Sequence, residues 1–162
     1  MELIFIRHAE AKSGASYADD SQRTLSSRGR QVQEQVSREL LRRGLSPDVI
    51  LSSPRLRAEQ TAWITAQILP GEVPLIEVAE LDGGFAVEDL LLRLESYLDC
   101  ASVVCVGHEP DMTFWTNRLL AEGEKQLMGF TNSMAVSIQF LSKPAVGQGH
   151  CNYAYTSDDL LL

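Results

Sequence analysis

Arg7 and His8 stand together directly behind four apolar residues, Leu3-Ile4-Phe5-Ile6, near the start of the chain. A neutral imidazole can act as nucleophile or base, and a neighbouring guanidinium can hold an oxyanion. A second histidine has the same setting, closing the run Val103-Val104-Cys105-Val106-Gly107-His108, and the chain has only three histidines in all. Between them lies Ser52-Ser53-Pro54-Arg55-Leu56-Arg57, behind another apolar run, Val49-Ile50-Leu51. Ser53 suits the N-cap of a helix and Pro54 its first turn, and a helix N-terminus is a ready anion site. Arg55 and Arg57 fall in that turn, two residues and about 200° apart on a helix, so they are not expected to face one pocket. Two histidines, at least two arginines and helix N-termini make a site for a dianion such as a phosphoryl group. No carboxylate cluster suggests Mg²⁺ and no HxxxH spacing suggests zinc, so neither a metal nor another cofactor is expected.

These residues need a scaffold that brings strand ends together. Leu3–Ile6, residues 48–51 and 102–106 read as short buried strands, and residues 73–78 as a further strand whose Pro74 points to an edge. Helical spacing marks Val32, Val36 and Leu40 behind the capping pair Ser26-Ser27. It also marks Ala58, Ala62, Thr65 and Leu69, then Val87, Leu90, Leu91, Leu94 and Leu98, and then Met112, Trp115 and Leu119 behind Pro110. Met112 and Trp115 are read as core. Residues 133–141 and 152–156 read as later strands that could add antiparallel edges. Strands alternating with helices predict an α/β fold: one three-layer α/β/α domain, residues 1–162, around a mostly parallel sheet. In such a sheet the carboxyl ends of the strands share one edge, where ligands bind, so the three motifs can converge. The polar stretch from Ala9 to Thr24 is long for a connection, and long loops in compact domains tend to be functional or mobile.

Composition narrows the partners. The chain has 162 residues, 44% hydrophobic and 22% charged, with a formal net charge of −8. That charge disfavours nucleic acid, whose phosphates bind clustered Lys and Arg, but allows a phosphorylated ligand in a locally positive pocket. Three cysteines, Cys100, Cys105 and Cys151, fit no disulfide or zinc spacing and are read as reduced thiols of a cytoplasmic protein. No signal peptide and no membrane span are expected, since the first apolar run is four residues long.

Together, Arg7-His8 after a strand, the stretch Ser52-Ser53-Pro54-Arg55-Leu56-Arg57-Ala58-Glu59-Gln60-Thr61-Ala62, and Val106-Gly107-His108 resemble the histidine phosphatase (phosphoglycerate-mutase-like) superfamily, and within it the short SixA-type phosphohistidine phosphatases. The likeness runs from residue 1 to about residue 120. It implies a phosphoglycerate-mutase-like core without a large cap insertion. It implies His8 as nucleophile and Arg7, Arg57 and His108 as phosphate-binding and catalytic partners. It carries the acid of related phosphatases onto Glu80, with Asp82 as the alternative. Ala9 stands where the family most often has glycine.

The resemblance also implies chemistry. His8 attacks phosphorus to give a phosphohistidine intermediate, which water then cleaves, while Arg7, Arg57 and a protonated His108 supply positive charge. The expected substrate is phosphohistidine on a signalling protein, such as a histidine phosphotransfer domain. Two alternatives stand beside this reading: a phosphatase of a small phosphorylated metabolite or phosphoester, and a non-catalytic phosphate-binding module. A monomer is favoured. Arg23 and Arg28 are candidates for the pocket rim but read first as solvated, as does Arg55, whose replacement by alanine is expected to leave most activity intact. His150 beside Cys151 is read as carrying no metal.

Overall fold

The computed structural model describes all 162 residues. Its centre is a six-stranded sheet made of β1 (Glu2–Arg7), β2 (Val49–Ser52), β3 (Leu75–Glu77), β4 (Ser102–Gly107), β5 (Ala135–Gln139) and β6 (His150–Tyr155), in the order β3-β2-β4-β1-β5-β6. β1, β2, β3 and β4 run parallel, and β5 and β6 add an antiparallel edge beside β1.

Both faces of this sheet are covered, which explains why its inner strands read as unbroken apolar runs. Leu3 and Phe5 of β1, Leu51 of β2 and Val103 and Cys105 of β4 point to one core; Ile4, Ile6, Ile50, Val104 and Val106 point to the other. The first core is closed by α3 (Val87–Leu94) and α4 (Asp111–Leu119), through Leu90, Leu94, Met112, Trp115 and Leu119. The second is closed by α1 (Ser27–Arg42) and α2 (Leu56–Ile68), through Val36, Leu40, Ala58 and Ala62, together with Leu160 of α5 (Ser157–Leu161). The result is three layers, α/β/α.

Most elements lie where the sequence pattern places them. Ser26 caps α1 through its Oγ, which accepts from the Gly29 N–H at 2.9 Å. The edge strand carrying Pro74's neighbours is shorter than expected, at three residues, and β5 is trimmed at both ends. The third helix stops at Leu94, and a single 3₁₀ turn, Glu95–Tyr97, leaves Leu98 exposed. The short α5 carries too few residues for a periodic signal; a Thr156–Asp159 capping box starts it. No helix is long and apolar enough to cross a membrane.

Two glycines mark close approaches that fix the sheet edge. A side chain at Gly29 would meet the Glu10 carbonyl oxygen at 2.1 Å, so the first turn of α1 rests directly on the loop behind β1. A side chain at Gly107 would meet Met112 Cε at 2.4 Å, so α4 packs against the residue preceding His108.

Candidate functional site

Strand register brings the two histidines together. Arg7 of β1 pairs with Gly107 of β4, so His8 and His108 are the next residue on each of two adjacent parallel strands. The His8 N–H donates to the Gly107 carbonyl at 3.0 Å, and the ring centroids lie 5.1 Å apart. β2 joins on the other side of β4: the Ser53 N–H donates to the Val106 carbonyl, and Ser53 Oγ sits 2.8 Å from His108 Nε2.

His8 is held in a defined tautomer. Its Nδ1 lies 2.7 Å from the carbonyl oxygen of Ala9, an acceptor only, so Nδ1 carries the proton and donates. Nε2 is left with its lone pair, and Arg57 Nε donates to it at 3.3 Å. The Ala9 carbonyl is itself fixed through its neighbouring groups. The Ala9 N–H donates to Thr61 Oγ1, whose hydroxyl donates to the Arg57 carbonyl. Asn132 Nδ2 donates to the His8 carbonyl at 2.9 Å. Burial, opposed by the Ala9 hydrogen bond and assisted by Arg57, Arg7 and Arg23, lowers the His8 pKa to about 4. The ring is therefore neutral near pH 7, and its Nε2 lone pair, held toward Arg57, is the nucleophilic one.

His108 is also neutral. Burial, with His8, Arg57 and Arg55 nearby, lowers its pKa to about 3. This corrects the expectation of a protonated His108: without a bound anion, the positive groups facing the cleft are the arginines. The Ser53 hydroxyl can donate to or accept from its Nε2, while Nδ1 is buried without a partner.

The cleft above the histidines has a volume of about 670 Å³, opens to solvent, and is lined almost wholly by polar side chains, among them Arg7, His8, Arg23, Arg55, Arg57, Asp82, His108 and Asn132. Arg7 Nη1 donates to the Phe130 carbonyl at 2.6 Å, which fixes its direction from the far side of the chain. A second, smaller concavity of about 360 Å³, near Glu2 and Tyr153, touches neither histidine.

Three expectations change here. Helix α2 begins at Leu56 rather than behind Ser53, because residue 55 is still extended (φ −71°, ψ 130°). Ser53 is thus no N-cap; its hydroxyl serves the Arg55 N–H and His108 instead. For the same reason Arg55 and Arg57 are not on opposite faces of a helix turn, and both line the cleft. Glu80 does not reach the histidines. It pairs with Arg93 at 3.0 Å outside the cleft, and that contact lowers its pKa and keeps it a carboxylate. The cleft carboxylate on that loop is Asp82, which accepts from Arg55 Nε at 2.6 Å. Arg23 lines the rim and Arg28 is exposed elsewhere.

Asp20, Thr61 and Asn132 were not singled out by sequence reasoning. Asp20 accepts from Arg57 Nη2 at 3.0 Å and from Arg55 Nη1 at 2.9 Å, and its backbone carbonyl accepts from Arg57 Nη1 at 2.9 Å. The unusual length of the loop that carries it was the only signal available. No group of three or more His, Cys, Asp or Glu side chains converges as metal ligands; His150 pairs with Glu124.

Comparison with known proteins bears on the family and the fold. The profile described as the histidine phosphatase superfamily (branch 1) matches residues 3–83. An uncharacterized protein of Picosynechococcus sp. is 38% identical over 121 residues, 74% of this chain and 73% of that one. The solved structure of the protein histidine phosphatase SixA complexed with tungstate superposes with a TM-score of 0.86 at 26% identity, covering 99% of each chain. The alpha-ribazole phosphatase from Shigella flexneri shares the fold, with a TM-score of 0.68 at 18% identity over 92% of this chain and 95% of that one.

Proposed function

Because the chain belongs to the histidine phosphatase superfamily (branch 1), we propose that it is a phosphatase working through a phosphohistidine on His8, and that its substrate is phosphohistidine on a protein, such as a histidine phosphotransfer domain. The observation that carries the reading is the state of His8: neutral, with Nδ1 donating to Ala9 and the Nε2 lone pair turned to Arg57 in an arginine-lined cleft.

The first step is in-line attack. A bond forms from His8 Nε2 to phosphorus, and the bond from phosphorus to the leaving nitrogen breaks. Arg7 and Arg57 hold the equatorial oxygens as charge spreads over them. A leaving imidazole whose distal nitrogen already carries a proton departs neutral, so this step asks for no acid from the enzyme. Water then attacks phosphorus, the bond to Nε2 breaks, and phosphate leaves; the negative phosphoryl group carried on His8 raises the basicity of the adjacent His108, which takes up the proton of that water.

Two features support phosphohistidine over an ester. An alkoxide needs a proton donor, and the two carboxyls that the resemblance offers for it are engaged elsewhere, Glu80 with Arg93 and Asp82 with Arg55. The cleft also lacks a cap: between Arg57 and Ser102 the chain forms only α2, β3, α3 and short turns. An open cleft suits a group carried on a protein surface. Three free cysteines fit a cytoplasmic setting.

The test is a time course on a protein bearing ³²P-phosphohistidine, in EDTA, with wild type and His8→Ala in parallel. Transient label on wild type, phosphate release, and neither with His8→Ala is the expected result. Good turnover of p-nitrophenyl phosphate with no transfer from phosphohistidine would move the substrate to a small phosphoester. Neither activity, with phosphate still bound, would leave a binding module.

A further inference from the structure

The cleft already contains an anion, and it belongs to the chain. Asp20 sits on a 3₁₀ turn, Asp20–Gln22, within the loop that leaves β1 and returns to α1. That loop forms a flap at the rim of the open cleft. Its base is an antiparallel bridge between Ala11 and Leu25, and its interior is tied by Tyr17 to Thr24 and by Arg23 Nε to the Lys12 carbonyl. Its tip delivers one carboxylate to three guanidinium groups. Oδ2 takes Arg57 Nη2 and Arg55 Nη1, and Oδ1 takes Arg23 Nη1 at 3.0 Å.

The donors so engaged are those a phosphoryl group would use. Arg57 spends Nε on His8 and both Nη nitrogens on Asp20. Arg55 spends Nε on Asp82 and Nη1 on Asp20. Arg7, by contrast, touches no carboxylate; its Nη1 meets a backbone carbonyl. Arg7 is thus the cleft cation with no carboxylate partner, while Arg57, with all three nitrogens engaged, and Arg55 Nη1 meet an incoming phosphoryl group in competition with Asp20. The carboxylate is half-exposed, so exchanging it for another anion does not bury an unpaired charge.

We propose that Asp20 is a built-in counter-anion that occupies Arg55 and Arg57 until a phosphoryl group competes for them, and so sets how weakly the cleft holds bare phosphate. The proposal rests on the phosphate-binding role given above to Arg57 and extends it to Arg55, which lines the same cleft. It gives the flap a purpose. A protein-borne phosphoryl group arrives with additional contacts and overcomes the competition, whereas the free phosphate product has none and is released.

Asp20→Asn removes the charge and keeps the backbone carbonyl that meets Arg57, so it tests the anion and not the loop. Asp19→Asn is the control. Asp19 lies beside it on the same flap, with Oδ1 on the Ser21 N–H and no arginine contact, and it loses the same unit of charge. The dissociation constant of inorganic phosphate is measured by calorimetry, and KM and kcat for the phosphohistidine protein alongside. With Asp20→Asn, phosphate binding and product inhibition are expected to tighten about fivefold, the upper end of what one exposed ion pair contributes. KM falls with them, and Asp19→Asn stays within about twofold of wild type.

Weaker or unchanged phosphate binding in Asp20→Asn would overturn the proposal and make Asp20 a residue that merely holds Arg57 in place. Equal tightening in both variants would overturn it too, as a general charge effect. Phosphate binding by Asp20→Asn alone supports it, and binding by neither protein overturns it. The expected shift in phosphate binding without any turnover would leave the counter-anion standing and sink the enzymatic reading instead.

Discussion

The ends of β1 and β4 look alike in sequence and differ in what holds their histidines. His8 is fixed by a backbone carbonyl, which can only accept, so its proton has one place to be. His108 is fixed by the Ser53 hydroxyl, which can reverse its direction. Burial keeps both rings neutral. The difference separates roles: a locked tautomer exposes one constant lone pair, as a nucleophile requires, and a reversible partner lets a ring take up and return a proton.

The comparison breaks first at His8. Its replacement by alanine is expected to cost about a thousandfold or more in kcat and to remove the phosphoenzyme, since no other group supplies the lone pair. His108→Ala is expected to cost about a hundredfold and to leave label on His8 after a single mixing, because the second step loses its proton acceptor while the first keeps its nucleophile. Rapid-quench labelling of the two variants side by side checks this. If His108→Ala lost the label as completely as His8→Ala, the two strand ends would be doing one job.

Acid sharpens the same contrast. An ordinary histidine titrates near 6.5, and His8 titrates at about 4 in the folded protein, so kcat/KM should hold through pH 5 and fall about tenfold per unit below about 4. The unfolded chain binds protons at His8 and His108 in the window where the native one does not. Stability should therefore rise with pH from about 3 to 6.5 and level off above. Melting temperatures at both ends of that window, with His8→Ala showing a flatter dependence, test the sign.

Smaller effects are expected around these rings. Ser53→Ala strips His108 Nε2 of its partner and should cost about tenfold in kcat, the worth of one buried hydrogen bond, while phosphoenzyme formation is retained. Glu80→Gln should change kcat/KM by less than about twofold, since it breaks only a surface pair with Arg93. A large loss with Glu80→Gln would restore an acid the structure places outside the cleft.

Much of this was legible in the chain. The apolar runs at Leu3–Ile6 and Val103–Val106 name strands buried on both faces, and a parallel sheet must gather their ends on one edge. Helical spacing named the buried faces of α1, α2 and α4, because side chains at i and i+4 share a face wherever a helix forms. What escaped depended on a boundary or on distance along the chain. Arg55 was misread because the helix starts two residues later than its serine and proline suggest, and an extended residue does not obey helical spacing. Glu80 was misread because its partner, Arg93, lies a strand-to-helix turn away.

The sequence by itself determined the alternation of strands and helices, the positions of Arg7, His8, Arg57 and His108 at element ends, and thereby the family and the class of chemistry. These are local matters: periodicity, end signals and residue type act over a few positions. Only the tertiary structure decided that His8 offers Nε2, that His108 is neutral, that Asn132 and Phe130 reach back across the chain to the first strand, and that Asp20 closes on the arginines. Each of these depends on burial or on contacts between residues far apart in sequence, where register and packing, rather than neighbours along the chain, set the distance.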